Sequence, residues 1–216
     1  MSKKAHDQIK MLEKTLTEGL QALNLQLEPG AERALLDFVL LLDKWNQAYN
    51  LTAVRDPQQM ITRHILDSLS ISPFVKGPRV LDVGSGAGLP GIPLALAQPQ
   101  LDFVLLDSNA KKTRFITQAV ASFRIKNVEI VQERVEKYDP RKKFNTLISR
   151  AFASIADMLA GTGHLADTGA EFLAMKGVYP QEELTAIPQN YKVSSVQALQ
   201  VPGLDAARHL VIITRR

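Results

Sequence analysis

The residues best suited to chemistry form a ladder of glycines directly after a short apolar run. The run Val80–Val83 breaks into Gly84, Gly86 and Gly88. Glycine adopts positive φ at little cost and has no Cβ to hold a ligand away from the backbone. The segment after Leu89 reads as a helix, whose free N–H groups and positive dipole end suit an anionic group. We therefore expect a ligand to approach the backbone at this loop.

A carboxylate follows the next apolar run. The run Phe103–Leu106 ends in Asp107. A carboxylate at the end of this second strand can accept hydrogen bonds from both hydroxyls of a ribose. Together with the glycines, Asp107 predicts a pocket for an adenosine-bearing cofactor.

Two cofactors compete for this pocket. Residues 86–91 match the dinucleotide fingerprint G-x-G-x-x-G, which alone is weak evidence. The Asp-x-Gly-x-Gly-x-Gly spacing of residues 82–88 is more similar to the loop of class I methyltransferases, which bind S-adenosylmethionine. Pro90 and Pro93 also lack N–H groups where a pyrophosphate would need them. We favour S-adenosylmethionine over NAD, with a tight turn that holds no ligand as a further alternative.

The composition is that of an ordinary globular protein. The 216 residues are 45% hydrophobic and 22% charged, which is enough chain for one sizeable core. The absence of cysteine excludes disulfides, thiolate metal sites and methyltransferases that attack a pyrimidine through cysteine, and we assign no metal. The polar start indicates no signal peptide, and no apolar run is long enough for a membrane span. We expect a cytoplasmic protein without a membrane partner.

Positive charge is concentrated after the glycines. The net charge is +4, but residues 110–150 alone carry eleven lysines and arginines against four acidic residues. Because phosphate neutralisation drives nucleic-acid binding, this basic zone predicts a polyanionic substrate. A solvated helix face followed by a basic turn explains the same charges equally well. The zone includes Lys111, Lys112, Arg114, Arg124, Lys126, Arg134, Arg141, Lys142, Lys143 and Arg150.

The first 76 residues have the pattern of helices. Apolar residues recur at helical spacing in two stripes before residue 46. The dipeptide Asp56-Pro57 predicts the start of a third helix that continues to about Leu69. Trp45 continues the second stripe, so we interpret it as a core residue rather than a platform for a base. The stripes are Ile9, Leu12, Leu16, Leu20 and Leu23, then Leu35, Phe38, Val39, Leu42 and Trp45.

From residue 79 onward, apolar runs alternate with helical stretches. This alternation predicts an α/β fold whose mostly parallel sheet is wrapped by helices, and the last two runs predict an antiparallel hairpin. We divide the chain into an N-terminal helical region, 1–76, packed on a cofactor-binding domain, 77–216. Strands are predicted near 79–83, 102–106, 127–132, 144–149, 170–175, 191–200 and 208–214.

Polar residues cluster where the predicted strands end. In such sheets a ligand sits at the carboxyl ends of the strands, where the strand order reverses. We therefore expect these residues to meet around one edge. They are Gly84 and Gly86, Asp107, residues 133–136, Ser149 and Arg150, and Met175 and Lys176.

Motifs along most of the chain resemble those of one bacterial family. From about residue 29 onward the sequence resembles ribosomal RNA small subunit methyltransferase G, also called glucose-inhibited division protein B. The motifs are Trp45-Asn46-x-x-Tyr49-Asn50-Leu51-Thr52, Arg63-His-Ile-Leu-Asp-Ser68, Asp82-Val-Gly-Ser-Gly-Ala-Gly-Leu-Pro-Gly-Ile-Pro93, Ile148-Ser-Arg-Ala-Phe-Ala153, Met175-Lys-Gly177 and Arg208-His-Leu210.

The resemblance implies a Rossmann-like class I methyltransferase with a seven-stranded sheet. It also implies that a monomer transfers a methyl group from S-adenosylmethionine to N7 of a guanine in the 530 loop of 16S rRNA, free or in the 30S subunit. The cofactor contacts that it implies are Gly84, Leu89, Val135, Glu136 and Arg150. The glycine loop adds Ser85, Gly86 and Asp107. The candidate RNA contacts are Arg63, His64, Lys111, Lys112, Arg134, Lys176 and Arg208.

This chemistry assigns no acid or base to the protein. Guanine N7 carries an unshared electron pair and no proton, so positioning, worth up to about 7–11 kcal/mol, would supply most of the rate. We interpret His64 and Asp67 as satisfied polar residues on a helix packed against the cofactor domain. In the alternative interpretation, Arg63 and His64 line the substrate cleft. Lys176 and Arg208 are candidates for phosphate or base contacts, with plain surface charge as an even alternative.

Three other functions remain open at this point. The first is a methyltransferase for a small molecule or a protein. The second is a ribosome-binding factor that keeps the fold and performs no chemistry. The third is an NAD-dependent oxidoreductase.

Overall fold

Seven strands pair into a single sheet. The computed structural model describes residues 3–150 and 152–216, and the side chains from residue 6 onward within these ranges. Met1, Ser2 and Ala151, the last within one of the motifs above, lie outside the described residues. The strands are β1 (Arg79–Val83), β2 (Asp102–Leu106), β3 (Val128–Val131), β4 (Phe144–Ser149), β5 (Ala166–Lys176), β6 (Tyr191–Ala198) and β7 (His209–Arg215).

The strand order is β3-β2-β1-β4-β5-β7-β6. Strands β1 to β5 are parallel, whereas β7 pairs antiparallel with both β5 and β6. The order reverses between β1 and β4, because β1 has β2 on one side and β4 on the other. The predicted parallel sheet with a terminal antiparallel hairpin is confirmed.

Strand β5 begins earlier than its sequence pattern predicts. Its first four residues, 166–169, are exposed or half-buried, and regular burial starts at Ala170. A strand is predicted from buried apolar residues, so this exposed extension carried no such signal. The strand pairing here also shifts register between Phe144 and Thr146.

Helices cover both faces of the sheet. After the strands, the helices are named α1 (Lys3–Ala22), α2 (Ala31–Tyr49), α3 (segments Pro57–Met60, Ile61–Leu66 and Asp67–Leu69), α4 (Gly91–Ala97), α5 (Ala110–Phe123), α6 (Ile155–Thr162) and α7 (Gln181–Thr185). Two short 3₁₀ turns complete the set, at Ser72–Phe74 and Gly163–Leu165. No helix within the described ranges is both long enough and apolar enough to cross a membrane.

The N-terminal helices share one core with one face of the sheet. Phe38 of α2 and Phe115 of α5 are fully buried, with ring centroids 5.8 Å apart. Trp45 packs edge-on against Phe115 at 5.7 Å, which confirms its interpretation as a core residue. Successive strand residues such as Val80 and Leu81 face opposite cores, as the period of two in a strand requires. The domain boundary at residue 76 stays a prediction.

The third helix changes its winding in the middle. Asp56 caps its start by accepting a hydrogen bond from the backbone N–H of Gln58 at 3.0 Å, as predicted. Residues Ile61–Leu66 then form a π-helix, in which the N–H of Asp67 reaches the carbonyl of Thr62. A π-helical segment inserts an extra residue into the turn and is often found at functional sites.

Candidate functional site

The ends of the parallel strands bring the expected residues to one edge of the sheet. Val83 and Leu106, the last residues of β1 and β2, are paired in register, and Leu106 is paired in turn with Val131 of β3. On the other side Asp82 is paired with Ile148 of β4. The glycine loop, Asp107, residues 132–136 and Arg150 therefore leave the sheet side by side.

Two carboxylates hold the glycine loop in shape. Asp82 accepts a hydrogen bond from the N–H of Gly91, and Asp107 accepts one from the N–H of Gly86, each at 2.8 Å. A Cβ at Gly91 would lie 2.7 Å from Asp82 Oδ2, so only glycine allows this approach. Gly84 and Gly86 both adopt positive φ, at 68° and 59°.

Asp107 is already engaged by the backbone on both of its oxygens. Its Oδ2 accepts from Gly86, and its Oδ1 accepts from the N–H of Asn109 at 2.8 Å. A carboxylate oxygen has a further lone pair, so Asp107 can still accept from a ribose hydroxyl. Its bond to Gly86 also holds the glycine loop against the end of β2.

A cavity of about 300 Å³ lies beside the glycine loop. We name it the glycine-loop cavity. Of the residues predicted to bind the cofactor, Gly84, Asp107, Val135 and Glu136 line it. Its other lining residues are Val83, Leu106, Ser108, Lys112, Glu133, Arg134 and Phe152. We predicted that Lys112 and Arg134 contact the RNA. In the structure they line the same cavity as the residues predicted to bind the cofactor.

The other predicted cofactor residues lie elsewhere. Ser85 and Leu89 are buried, and Gly86 acts through its bond to Asp107. Arg150 lines a second cavity, although its positive charge also acts on Asp82, where it favours the ionised form against the larger effect of burial, which raises the pKa of that carboxyl. Arg150 and Phe152, which follow β4 and are two residues apart, line the second and the first cavity respectively, so the two cavities lie close together at this edge.

The second cavity, of about 350 Å³, is lined by cationic side chains and is named here the cationic cavity. It gathers Arg63, His64, Lys176 and Arg208, four of the seven predicted RNA contacts, whereas Lys111 lines neither cavity. The remaining lining residues are Val54, Asp67, Arg150, Met175, Gly177, Leu199 and His209.

The basic zone seen in the sequence is divided between the two edges of the sheet. Arg124 ends α5, and Lys126 and residues 141–143 precede β3 and β4, so they lie at the amino ends of the strands. Lys112 and Arg134 lie at the opposite edge, where the cavities are. Only part of the basic zone therefore lies beside the glycine loop, and the residues at the other edge fit the alternative of a solvated surface with a basic turn, because charge counted along a chain does not distinguish the edges of a sheet.

Asp67 is the buried centre of the cationic cavity. Its side chain is 3% exposed, and its Oδ1 accepts from Arg208 Nε at 2.9 Å. Its Oδ2 pairs with Arg150 Nη1 at 3.4 Å, and the same Arg150 nitrogen reaches the carbonyl of Arg63. From the sequence we interpreted Asp67 as a polar residue whose hydrogen bonds are satisfied. That interpretation did not include the two guanidinium groups that Asp67 orients. Since those partners are 83 and 141 residues away along the chain, no local pattern marks them.

His64 is held as a neutral ring. Its Nδ1 is 3.0 Å from the carbonyl of Arg63, which can only accept, so Nδ1 carries the proton. Its Nε2 then accepts from the hydroxyl of Thr52 at 2.8 Å. Burial, aided by the positive charge of Arg150, lowers the pKa of His64 to about 4. His64 has hydrogen-bond partners on both ring nitrogens and also lines the cationic cavity, so the two interpretations of it are compatible.

Asp82 is the most perturbed carboxyl group at this edge. It is fully buried, and its Oδ1 has no hydrogen-bond partner among the described residues. Burial raises its pKa to about 7 from an ordinary 3.8, although the Gly91 N–H and the charge of Arg150 favour the ionised form. The nearby charge of Asp107 adds to the increase.

Comparisons with known proteins agree with this architecture. A family model described as rRNA small subunit methyltransferase G matches residues 31–211. A protein named ribosomal RNA small subunit methyltransferase G from Idiomarina loihiensis is 53% identical over 84% of this chain and 88% of its own. One of the same name from Nitrosococcus oceani is 50% identical over 94% and 95%.

Solved structures of lower identity share the fold. A SAM dependent methyltransferase from Aquifex aeolicus has a TM-score of 0.58 at 17% identity, covering 73% of this chain and 93% of its own. A methyltransferase from Thiobacillus denitrificans in complex with S-adenosyl-L-homocysteine has a TM-score of 0.55 at 11% identity, covering 82% and 98%. At these identities the likeness establishes the class I methyltransferase fold.

The buried Asp82 predicts a specific dependence of stability on pH. A raised pKa means that the folded state favours the protonated carboxyl, so this stabilisation is complete below about pH 4 and is lost as the pH rises through about 7. Asp82→Asn is neutral at every pH. We expect the free energy of unfolding of the unmodified protein, minus that of the variant, to fall between pH 4 and 8, by on the order of 4 kcal/mol.

Urea unfolding without cofactor at a series of pH values measures this difference. Ser85→Ala is the control, because it changes a buried polar atom without a partner in the same loop but alters no titrating group. Its difference from the unmodified protein should stay constant over the same range. If the difference in free energy of unfolding for Asp82→Asn is equally constant, the pKa of Asp82 is not raised in the folded protein.

Proposed function

Since the chain belongs to the rRNA small subunit methyltransferase G family, we propose that it methylates N7 of one guanine in the 530 loop of 16S rRNA. The observation that carries this proposal is the pair of adjoining cavities at one edge of the sheet. One cavity has the glycine loop, and the other presents oriented cationic side chains.

The cofactor is S-adenosylmethionine, and the residues of the glycine-loop cavity fit it. The carboxylates of Asp107 and Glu136 line the cavity and suit hydroxyl groups, while Leu106, Val135 and Phe152 offer apolar surface for a purine. A Cβ at Gly86 would approach Gly84 O only to 3.8 Å, so the loop leaves room beside its backbone. When bound, the cofactor supplies an activated methyl group on a positively charged sulfur.

The cationic cavity suits an RNA nucleotide. Arg63, Lys176 and Arg208 provide donors for phosphate oxygens, and the Asp67 carboxylate holds Arg208 in a defined direction. Arginine in a fixed orientation gives bidentate recognition that a mobile side chain does not. These cations favour RNA over a small neutral substrate of a methyltransferase.

The chain's contribution to the reaction is positioning. Guanine N7 has no proton to remove, so the site requires no base, and holding the reactants in line is worth up to about 7–11 kcal/mol.

The substrate form, assembly and location belong to the same proposal. The protein acts as a monomer in the cytoplasm, on 16S rRNA either free or in the 30S subunit. The N-terminal helices up to residue 76 form a region that supplies Arg63, His64 and Asp67 to the cationic cavity. Phosphate contacts of this kind make affinity fall as salt rises, which separates an RNA substrate from a small molecule.

Gly86→Asp tests the cofactor site. The new side chain would sit at a φ of 59° and place a second carboxylate beside Asp107, which accepts the Gly86 N–H. We expect affinity for S-adenosylmethionine and methyl transfer to 30S subunits each to fall by at least about tenfold, since like charges at this range repel. Calorimetry measures the first, and transfer of a labelled methyl group the second.

Gly169→Asp is the control for backbone strain. Gly169 has a φ of 76° with open space around it, far from the glycine loop in sequence and in neither cavity. It should destabilise the fold by a similar strain but leave cofactor affinity unchanged. Cofactor affinity that is retained in Gly86→Asp would refute the assignment of this cavity.

Asp67→Asn tests the positioning role of the buried carboxylate. The change makes the cavity more positive, so simple charge attraction predicts tighter RNA binding. If orientation of Arg150 and Arg208 matters, kcat/KM for rRNA should instead fall by about 10- to 100-fold, as on truncating one partner of a buried pair. Cofactor affinity should remain within a factor of about two, because Asp67 lies outside the glycine-loop cavity.

Glu171→Gln is the matched control for Asp67→Asn. Glu171 is a carboxylate in an ion pair with Lys76 at 2.7 Å and lines neither cavity. This variant should methylate rRNA at the unmodified rate. An Asp67→Asn protein with unchanged or increased kcat/KM would contradict the positioning role.

A further inference from the structure

An exposed aromatic ring stands next to the cationic cavity. The turn after β5 carries Val178, which is 77% exposed, and Tyr179, which is 50% exposed. Lys176 and Gly177 directly precede this turn, and His209 packs against Tyr179; all three line the cationic cavity. Large apolar side chains usually gain free energy by burial, so their exposure beside a cationic cavity suggests a surface that is covered by a ligand.

The Tyr179 ring is held in a defined orientation. It packs edge-on against the imidazole of His209, with centroids 5.5 Å apart and planes at 88°. His209 is fixed in turn, because its Nδ1 donates to the carbonyl of Gly177 at 2.9 Å. An ion pair of 2.8 Å between Lys176 and Glu183 ties the end of β5 to α7 and so braces the turn from its other side.

The surroundings of this ring have the charge that a phosphate backbone requires. Arg208 precedes His209 in the chain, and its guanidinium is oriented by Asp67. Arg63 and Arg150 line the same cavity. An oriented aromatic ring flanked by cations is the usual combination by which proteins hold single-stranded nucleic acid, with bases on the ring and phosphates on the cations.

We propose that Tyr179, braced by His209, is a stacking platform for an unpaired base adjacent to the guanine that is methylated. This inference rests on the proposed function and extends it, since it assigns an RNA contact outside the residues expected from the sequence. Stacking of a base on the ring positions the target strand over the cavity. The hydroxyl of Tyr179 has no part in this interaction.

Substitution of Tyr179 tests the platform through substrate kinetics. We expect Tyr179→Ala to raise KM for 30S subunits by about 5- to 100-fold, the range that loss of one stacked base produces. Its kcat at saturation should stay within about twofold, and its affinity for S-adenosylmethionine should not change. Tyr179→Phe keeps the ring and should match the unmodified protein.

Tyr49→Ala is the matched control. Tyr49 is 49% exposed and packs against an aromatic neighbour, Trp45, but it lines neither cavity. Its KM should be normal. The platform is refuted if Tyr179→Ala behaves like Tyr49→Ala, or if Tyr179→Phe is as defective as Tyr179→Ala.

A fluorescence experiment tests the platform without methyl transfer. Trp45 is the only tryptophan of the chain, so Trp45→Phe provides a background without tryptophan emission. In that background, the tryptophan fluorescence of Tyr179→Trp should be quenched on binding an RNA fragment that contains the 530 loop, whereas the fluorescence of Tyr49→Trp should not. Equal responses at both positions, or none at 179, would overturn the platform.

The two experiments separate the failure of the platform from the failure of the proposed function. If the unmodified protein leaves N7 of the rRNA unmethylated, the proposed function is refuted. In that case the fluorescence experiment alone tests whether Tyr179 stacks on a base. An unmodified protein that methylates N7, together with a fully active Tyr179→Ala, refutes only the platform.

Discussion

The cationic cavity depends on one buried carboxylate. Asp67, which belongs to α3, accepts from Arg208 just before β7 and pairs with Arg150 just after β4. Three parts of the chain thus converge on a single group that is 3% exposed. Without it, two guanidinium groups would face each other with no compensating charge. The N-terminal helices therefore contribute to the cationic cavity, and Asp67 directly follows the π-helical segment Ile61–Leu66.

The glycine loop uses carboxylates in a different way. Asp82 and Asp107 each accept one loop N–H, but Asp82 is sealed in the core and Asp107 lies at the cavity wall. Burial raises the pKa of Asp82 to about 7, so the core holds a carboxyl that readily stays protonated. Asp107 lines the glycine-loop cavity and holds the loop at the same time. The conformation of the loop is therefore fixed by carboxylates of the chain itself.

The fold was predictable because its signals are local. Most of the strands contain a short apolar run, and Asp56-Pro57 marks a helix start that the structure confirms. The residues at the ends of parallel strands could be placed at one edge by topology alone. The π-helical segment, the partners of Asp67 and the exposed Tyr179 could not be predicted, since they depend on contacts between distant segments. The two interpretations of the basic zone could not be separated for the same reason, because about half of its residues belong to the opposite edge of the sheet.

The reaction that we propose for this chain is methyl transfer to N7 of a guanine in the 530 loop. Mass spectrometry of digested 16S rRNA, from cells with and without the protein, tests it most directly. We predict that 7-methylguanosine in the 530-loop fragment disappears when the protein is removed and returns when it is restored. An unchanged fragment would contradict the claim, and the adjoining cavities would then have to serve a different acceptor.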